Sequence, residues 1–254
     1  MTARGLVLVT GGLSGIGAAA AAVLAAEGYT ALVADIATKA ETRAPAGILL
    51  WPHALDVSDE AAVETAVAAI EAAHGPLVGL VNAAGILGKM HKPDRLKMVD
   101  WDREMAVDLR GTYLMCRAVG TRMAARGGGS IVNVASVVGS LAAPVHGYGP
   151  AKAAVINLSQ TLAAEWGAQG VRVNAVSPGF TRTPALEKAF EVGALSQERM
   201  QAASALKRLV EPNEVGRAIA WLIGPGSSAV TGINMPVDAG FLASIGWQPY
   251  GVTR

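Results

Sequence analysis

A glycine-rich turn near the start of the chain constrains the fold more than any other segment. An apolar run at 6–10 is typical of a buried strand and leads directly into Gly11, Gly15 and Gly17. The alanine-rich run that follows, 18–27, predicts a helix. Glycines at these positions permit a tight turn, a close approach of the backbone to a phosphate group, and close packing of the helix on the strand.

A second apolar run, 31–34, ends in Asp35, 18 residues after Gly17. A strand, a glycine turn, a helix and a second strand that ends in an acid form the context in which such a turn binds a dinucleotide. The turn also contains Ser14 and Ile16, and the start of the helix offers N–H groups to a pyrophosphate. The Asp35 carboxylate would bind a ribose diol and repel the 2′-phosphate of NADP. The sequence therefore predicts a dinucleotide site at this turn, and Asp35 favours a dinucleotide without a 2′-phosphate.

Strand-like apolar runs alternate with longer helical runs along the whole chain. This alternation predicts an α/β fold, a Rossmann-type doubly wound parallel sheet in three α/β/α layers. With 254 residues and no linker or repeat, we expect a single NAD-binding and catalytic domain over 1–254. Ser58 is predicted to cap the second helix. The predicted strands are 6–10, 31–35, 50–55, 77–82, 130–135, 171–176 and 233–237, and the predicted helices are 15–27, 59–74, 101–126, 148–168, 184–206 and 212–223.

The charge balance excludes partners that are bound through net charge. Lysine and arginine number 21 against 20 acidic residues, so no nucleic-acid or membrane surface of that kind is expected. No apolar run approaches the ~18 residues that a membrane span needs, and we expect a cytoplasmic protein. Cys116 is the only cysteine, which excludes an internal disulfide and indicates a small buried helix residue. No metal site is predicted.

Tyr148 and Lys152 place a phenol and an ammonium group one helical turn apart. Residues four apart lie on the same face of a helix, so both side chains can meet over one reacting atom. A neighbouring cation favours the phenolate form, which makes proton transfer by Tyr148 chemically plausible near neutral pH. Ser136 follows the predicted strand 130–135, at the strand end where ligands of parallel sheets bind.

The chain resembles the short-chain dehydrogenase/reductase family over nearly its whole length. Six motifs carry the resemblance in the expected order: the turn 10–17, the step Asp56-Val57, the strand end 82–85, Ser136, the pair Tyr148 and Lys152, and the segment 174–183. The resemblance implies a nicotinamide cofactor, with Asp56-Val57 near the adenine and 174–183 along the nicotinamide and its carboxamide. Together with Asp35, it predicts NAD as the cofactor. The residues predicted to bind the cofactor are Gly11, Ser14, Gly15, Ile16, Gly17, Asp35, Asp56, Val57, Asn82, Ala83, Gly85, Tyr148, Lys152, Pro178, Gly179, Thr181 and Thr183.

The resemblance also implies a reaction. Tyr148 would act as general base and acid, Ser136 would orient the substrate, and Lys152 would bind the nicotinamide ribose and pass protons to solvent. The implied function is interconversion of a secondary alcohol and a ketone by hydride transfer to nicotinamide, with oxidation favoured by NAD. The alternative is a non-catalytic NAD-binding module that acts as a sensor or scaffold. The intact set of Ser136, Tyr148 and Lys152 argues against that alternative.

One catalytic position departs from the family pattern. The family usually has asparagine in an Asn-x-x-Gly step, and here the segment reads Asp108-Leu109-Arg110-Gly111. The Asp108 carboxylate either faces Lys152 or pairs with a local cation such as Arg110. In the family this residue holds a relay water largely through its main chain. Both arrangements of the carboxylate stay open. Because Arg110 can neutralise it and the relay water needs only a carbonyl group, we expect Asp108 to act through its main chain.

The sequence describes the substrate pocket only in outline. The apolar run 141–145 and the segment after 180 predict a mostly apolar pocket for a small secondary alcohol or ring alcohol. His146 would bind a second substrate oxygen or, as we favour, a local group in its loop. The segment 183–207 is expected to cover the substrate, with ordinary helix packing as the alternative, and family tetramers imply a homotetramer. The predicted substrate contacts are Ser136, Val138, His146, Tyr148 and Phe180.

Overall fold

The computed structural model describes residues 4–39, 41–45, 47–88 and 90–250, and within them seven strands form one parallel sheet. The sheet order is β3-β2-β1-β4-β5-β6-β7, so β1 lies between β2 and β4. The carboxyl ends of β1 and β4 form a topological switch point, the place where open parallel sheets bind ligands. The predicted doubly wound α/β fold is confirmed. The strands are β1 (Leu6–Thr10), β2 (Thr30–Ala34), β3 (Ile48–Leu50), β4 (Leu77–Asn82), β5 (Gly129–Val134), β6 (Val171–Pro178) and β7 (Asn234–Val237).

Helices cover both faces of the sheet and complete the three layers. Side chains of β1 alternate between two cores: Leu8 packs with α2, α4 and α5, and Val9 packs with α1 and α8. Each fully buried side chain of this size contributes ~1.5–3 kcal/mol. Among the described residues, no helix is both long and apolar enough to cross a membrane. The helices are α1 (Gly15–Ala26), α2 (Glu60–His74), α3 (Met98–Glu104), α4 (Thr112–Arg126), α5 (Tyr148–Trp166), α6 (Pro184–Glu191), α7 (Gln197–Ala203), α8 (Pro212–Ile223) and α9 (Phe241–Ser244).

Three predicted elements differ from the structure. The strand predicted at 50–55 lies at Ile48–Leu50, where it pairs with β2. The helix predicted at 101–126 begins at Met98 and contains a π-helical stretch, Met105–Gly111, between α3 and α4. The helix predicted at 184–206 is divided into α6 and α7 because Gly193 adopts a φ of +66°, which ends the first helix.

The cap of α2 also differs from the prediction. The Asp59 carboxylate accepts a hydrogen bond from the Ala62 N–H at 3.0 Å, so Asp59 caps this helix. Ser58 donates instead to the Asp56 carboxylate, through its hydroxyl group at 2.7 Å and its N–H at 2.9 Å. The Asp56 carboxylate thus closes the turn that precedes the Asp59 cap.

Glu214 provides a pH-dependent test of the start of α8. Its carboxylate accepts the Glu211 N–H at 2.9 Å and contacts the Arg208 guanidinium at 2.6 and 2.8 Å. These partners, Arg208 first, lower the pKa of Glu214 to about 2. We expect Glu214→Gln to lower the free energy of unfolding by about 1–2 kcal/mol near pH 7. A depressed carboxyl pKa stabilises the fold above the ordinary value of 4.5, and this contribution is lost as the pH falls towards 2.

Urea unfolding of both proteins over a series of pH values measures the difference. It should narrow below pH 4.5, where Glu214 begins to take up a proton in the unfolded state. Glu198→Gln is the matched control, because Glu198 is an exposed acid in the first turn of α7. A difference that does not change with pH would contradict the assignment.

Candidate active site

The predicted catalytic residues meet at the carboxyl edge of the sheet. Helix α5 begins at Tyr148, and the Lys152 amine lies 5.4 Å from the centre of the Tyr148 ring. Ser136 follows β5, and its Oγ atom accepts a hydrogen bond from the Val138 N–H at 3.4 Å. Tyr148 and Ser136 are half-buried, whereas the Lys152 side chain is only 4% exposed. The strand end and the helix start thus bring the phenol, ammonium and hydroxyl groups to one region.

The Lys152 ammonium group is held by two acceptors. It donates to the Val134 carbonyl at 3.0 Å and lies 3.3 Å from the Asp108 carboxylate. Of the two arrangements that the sequence left open, the carboxylate faces Lys152, and its pairing with Arg110 is wrong. Residues two apart on a helix point to nearly opposite sides, so Arg110 faces outward, where it donates to the Ser58 carbonyl and to the Glu60 carboxylate at 3.4 Å.

The Asp108 carboxylate is fully buried beside the lysine. Its Oδ1 atom also accepts the Ile86 N–H at 3.2 Å, while Oδ2 has no hydrogen-bond partner among the described residues. Burial raises the pKa of Asp108, and the Lys152 ammonium and the Ile86 N–H oppose that rise. A Cβ atom on Gly85 would lie 2.6 Å from Oδ1, so glycine leaves the space that the ion pair occupies.

The main chain of Asp108 is also engaged. Its carbonyl accepts a hydrogen bond from the Thr112 hydroxyl group at 2.8 Å. Asp108 lies in the π-helical stretch, a form of helix found mostly as single turns at functional sites. The sequence carries no local signal for this winding.

The glycine turn has the geometry of a dinucleotide cradle. Gly11 and Gly15 adopt φ values of +63° and +53°, which side chains at these positions would strain. A Cβ atom on Gly17 would lie 2.2 Å from the Gly11 carbonyl oxygen. Ser14 precedes α1, and its side chain makes no capping hydrogen bond. The first turn of α1, including Ile16, is therefore available to a pyrophosphate, and the turn fits the group that the family implies.

Asp35 lies beside this turn, as the spacing predicts. Its Oδ2 atom accepts the Leu13 N–H at 3.2 Å and Oδ1 accepts the Ala37 N–H at 2.9 Å. These bonds hold the carboxylate at the edge of the cradle.

The residues predicted to lie along the nicotinamide approach the glycine turn. Pro178 ends β6, and the Gly179 N–H continues the pairing with β7 by donating to the Val237 carbonyl at 3.0 Å. Thr181 is buried, and the Thr183 hydroxyl accepts the Leu186 N–H to cap α6. A Cβ atom on Gly15 would lie 3.3 Å from Thr183 Cγ2, so the two segments are in contact.

Three other predicted cofactor residues have side chains with structural roles. The Val57 side chain lies in the core beside α2 and α4. Asn82 is buried and donates to the Asn133 amide oxygen at 2.8 Å, which joins β4 to β5 beneath the site. Asn133 in turn donates to Ser159 on α5 at 2.9 Å. Ala83 is half-buried and packs against the core shared by α1 and α8.

Cys116 completes this buried polar group. Its Sγ atom lies 3.3 Å from the Asn133 amide oxygen. Burial raises the pKa of the thiol to about 12, so the thiolate is strongly disfavoured. The prediction of a small buried helix residue is confirmed.

The predicted substrate contacts are only partly brought together. Val138 and His146 line a cavity of about 490 Å³, together with Leu141, Ala142, Ala143 and Val145. Ser136 and Tyr148 are not among its lining residues. The Phe180 ring packs edge-on against Phe241 at 4.9 Å, a contact with a C-terminal segment that the sequence did not indicate. In the described part of the chain, no group of three or more metal-ligating side chains is assembled.

Comparisons with known proteins agree with this geometry. A family model described as enoyl-(acyl carrier protein) reductase matches residues 11–242. D-threitol dehydrogenase of Mycolicibacterium smegmatis is 37% identical over 92% of this chain and 91% of its own length. The chain belongs to the short-chain dehydrogenase/reductase family. It is an oxidoreductase that acts on CH–OH groups with a nicotinamide cofactor. Cis-4-hydroxycyclohexanecarboxylate dehydrogenase of Sinomonas cyclohexanicum is 36% identical, over 95% of this chain and 98% of its own length.

Solved structures show the same fold. A Brucella melitensis 16M protein, described as ribose-5-phosphate isomerase, is 46% identical with a TM-score of 0.95, over 98% of this chain and 97% of its own. Levodione reductase is 32% identical with a TM-score of 0.88, over 96% of this chain and 100% of its own. ElxO, with NADP bound, is 27% identical with a TM-score of 0.89, over 95% of this chain and 100% of its own.

Asp108→Asn tests the buried carboxylate, because asparagine has nearly the same shape without the charge. Since the pKa of Asp108 is raised from 3.8, the folded state keeps its proton to a higher pH than the unfolded state. The stability that this group contributes is complete below the unfolded pKa and is lost as the pH rises through the folded pKa. We expect the unfolding free energy of the unmodified protein to decline, relative to Asp108→Asn, over that range.

Urea unfolding at several pH values measures this decline. Asp102→Asn is the control, because Asp102 is exposed on α3. The prediction is contradicted if the free energies of unfolding of the unmodified protein and of Asp108→Asn change with pH by the same amount.

Proposed function

We propose that this protein is an NAD-dependent dehydrogenase that interconverts a small secondary alcohol and its ketone. The observation that carries the proposal is the arrangement at the start of α5, where the Lys152 ammonium is fixed beside the Tyr148 ring. A phenol and a fixed cation on one helical face suit proton transfer to a bound substrate, which a binding module without catalysis does not need. The alternative of an NAD-binding sensor or scaffold has no feature of the site in its favour.

In the proposed mechanism, Tyr148 exchanges the proton and Ser136 orients the substrate. During oxidation the Tyr148 oxygen takes the proton of the substrate hydroxyl group, while the Ser136 hydroxyl group binds the same oxygen. Bound nicotinamide supplies the hydride acceptor. Lys152 keeps its orientation because the Val134 carbonyl and the Asp108 carboxylate both hold its amine. We assign Asp108 to this catalytic set through its side chain, as the group in direct contact with Lys152.

The cofactor would lie across the glycine turn and along the carboxyl ends of β1, β4 and β6. The turn and the start of α1 would bind the pyrophosphate, and Asp35 the adenosine ribose. Asp56 and Gly85 would line the cofactor, and Gly179 and Thr183 the nicotinamide. Among the remaining predicted residues, Val57 and Asn82 would act through their backbone, because their side chains are committed to the core and to Asn133.

NAD is favoured over NADP by charge. The Asp35 carboxylate is held at the cradle by two backbone N–H groups, where a 2′-phosphate would meet a fixed anion. Neither the turn 11–17 nor residues 36–38 contain lysine or arginine. In an NADP site, an arginine near the ribose normally binds the 2′-phosphate.

The substrate class is proposed from the pocket and from the relatives. The cavity beside Val138 and His146 is lined mostly by apolar groups, which suits a compact ring or short-chain alcohol. Relatives named for threitol and for a hydroxycyclohexane acid fall within that class. We propose that α6 and α7, within 183–207, cover the substrate, that the protein is a cytoplasmic homotetramer, and that 1–254 forms one catalytic domain.

Absorbance of the reduced cofactor during incubation with NAD and a panel of alcohols tests the function. The panel contains D-threitol, cyclohexanols and ring diols, with ribose 5-phosphate as a separate isomerisation assay without cofactor. Formation of reduced cofactor from at least one alcohol is expected. Isomerisation without any oxidation would contradict the proposal.

Tyr148→Phe should lower turnover by roughly 10²-fold or more, because it removes the hydroxyl group and keeps the ring. Binding of NAD, measured by calorimetry, should be nearly unchanged. Tyr113→Phe is the control, since Tyr113 is 43% exposed on α4 and lies outside the candidate site. Near-normal turnover by Tyr148→Phe would rule out the mechanism.

Asp35→Ala should narrow the preference between the two cofactors. Loss of the carboxylate removes the acceptor for the ribose diol and the repulsion of the 2′-phosphate, so NAD should bind more weakly and NADP more tightly. Direct titration of both cofactors measures the change. Tighter binding of NADP than of NAD by the unmodified protein would refute the assignment of Asp35.

A further inference from the structure

Glu104 is a buried acid beside the candidate site that the proposed mechanism does not use. It ends α3, one helical turn before Asp108, and is 4% exposed. None of the sequence motifs includes it, although an acid on the inward face of a helix is uncommon without a partner. Its carboxylate therefore requires a specific reason for its position.

Two glycines from different loops leave room for this carboxylate. A Cβ atom on Gly88 would lie 1.6 Å from Glu104 Oε1, and one on Gly147 would lie 2.3 Å from Oε2. Gly147 has a φ of −92°, and Gly88 is not among the glycines with positive φ, so any residue could adopt either backbone conformation. Space, and not backbone conformation, explains glycine at both positions. The loop after β4 and the loop before α5 thus form a niche around one acidic group.

The carboxylate in this niche meets the first turn of the catalytic helix. The Gly149 N–H donates to the Val145 carbonyl, Pro150 has no N–H, and the Ala151 N–H donates to the Gly147 carbonyl. The Tyr148 N–H has no backbone acceptor in the described part of the chain, and the Glu104 carboxylate, which lies against the neighbouring Gly147, is the acidic group at this N–H. Gly147 has no side chain that could cap α5, so a cap for this turn has to come from another element.

The electrostatic surroundings of Glu104 also differ from those of a solvated acid. Burial raises its pKa, and the charge of Asp108 and, more weakly, that of Asp100 add to the rise, while the Tyr148 N–H opposes it. The Tyr148 N–H is thus the one group among these causes that favours the charged carboxylate.

We propose that Glu104 is a positioning residue that fixes the main chain of Tyr148 by capping α5 from α3. This inference rests on the proposed role of Tyr148 in proton transfer. The position of the phenol oxygen depends on the Tyr148 Cα atom, because the ring is rigid. A displacement of about 1 Å at a reacting group can lower the rate by about 10²-fold, so a modest shift of this turn is enough to affect turnover.

Turnover of three variants tests the catalytic part of the proposal. We expect Glu104→Ala to lower kcat by about tenfold or more, with the KM for NAD within about twofold of its original value. Glu104→Gln should retain kcat within about threefold, because its amide oxygen can accept the same N–H. Asp102→Ala, an exposed acid of α3, is the matched control and should be unchanged. Full turnover by Glu104→Ala, or an equal loss in Glu104→Gln, overturns the proposal.

Hydrogen–deuterium exchange tests the contact without any substrate. In Glu104→Ala, exchange should accelerate in peptides that contain Tyr148 and stay unchanged in peptides from α8. If Glu104→Ala does not fold, Glu104→Asp replaces it in both measurements, because its shorter side chain withdraws the carboxylate from the Tyr148 N–H. Unchanged exchange at the start of α5 overturns the proposal. An unmodified protein that oxidises no alcohol refutes the proposed function alone, since exchange still reports the Glu104 contact.

Discussion

The Lys152 ammonium lies 3.3 Å from the Asp108 carboxylate, and both side chains are almost completely buried. A buried charge is costly unless it is paired and hydrogen-bonded, and removing one partner of such a pair costs about 3–5 kcal/mol. The end of β5 supplies the Val134 carbonyl to the lysine, and the loop after β4 supplies the Ile86 N–H to the aspartate. The same pair therefore joins two strand ends, the π-helical stretch and α5, and it fixes the orientation of the catalytic helix.

Glycines leave the space in which these buried polar groups are arranged. Gly85 adjoins the ion pair, and Gly88 and Gly147 surround the Glu104 carboxylate. At Gly139, a Cβ atom would lie 2.8 Å from the main chain of Lys152, so the turn after Ser136 packs directly on α5. Each of these positions brings backbone close to a charged group or to the catalytic helix. Close packing excludes water there, which strengthens every electrostatic interaction in the site.

Two buried acids lie on the helical segment before α4. Asp108 stands where the family usually has asparagine, and Glu104 precedes it by one helical turn. Their burial raises the pKa of each, and the charge of Asp108 contributes to the rise at Glu104. Family membership establishes the class of reaction. The two acids bear instead on how Tyr148 and Lys152 are positioned. In our proposal, one acid orients the lysine and the other orients the tyrosine main chain.

The sequence by itself determined the doubly wound sheet, the glycine turn, the place of Asp35, and the pairing of Tyr148 with Lys152. These features depend on local periodicity and on spacings within one turn or one helix, which a linear pattern records directly. Only the tertiary structure decided that Asp108 faces Lys152 and not Arg110, that Phe180 packs on Phe241, and that the Glu104 carboxylate lies against Gly147 at the start of α5. Such contacts join segments far apart in the chain. They depend on the π-helical winding of Met105–Gly111 and on the space left by glycines in separate loops, and neither is encoded in the spacing of neighbouring residues.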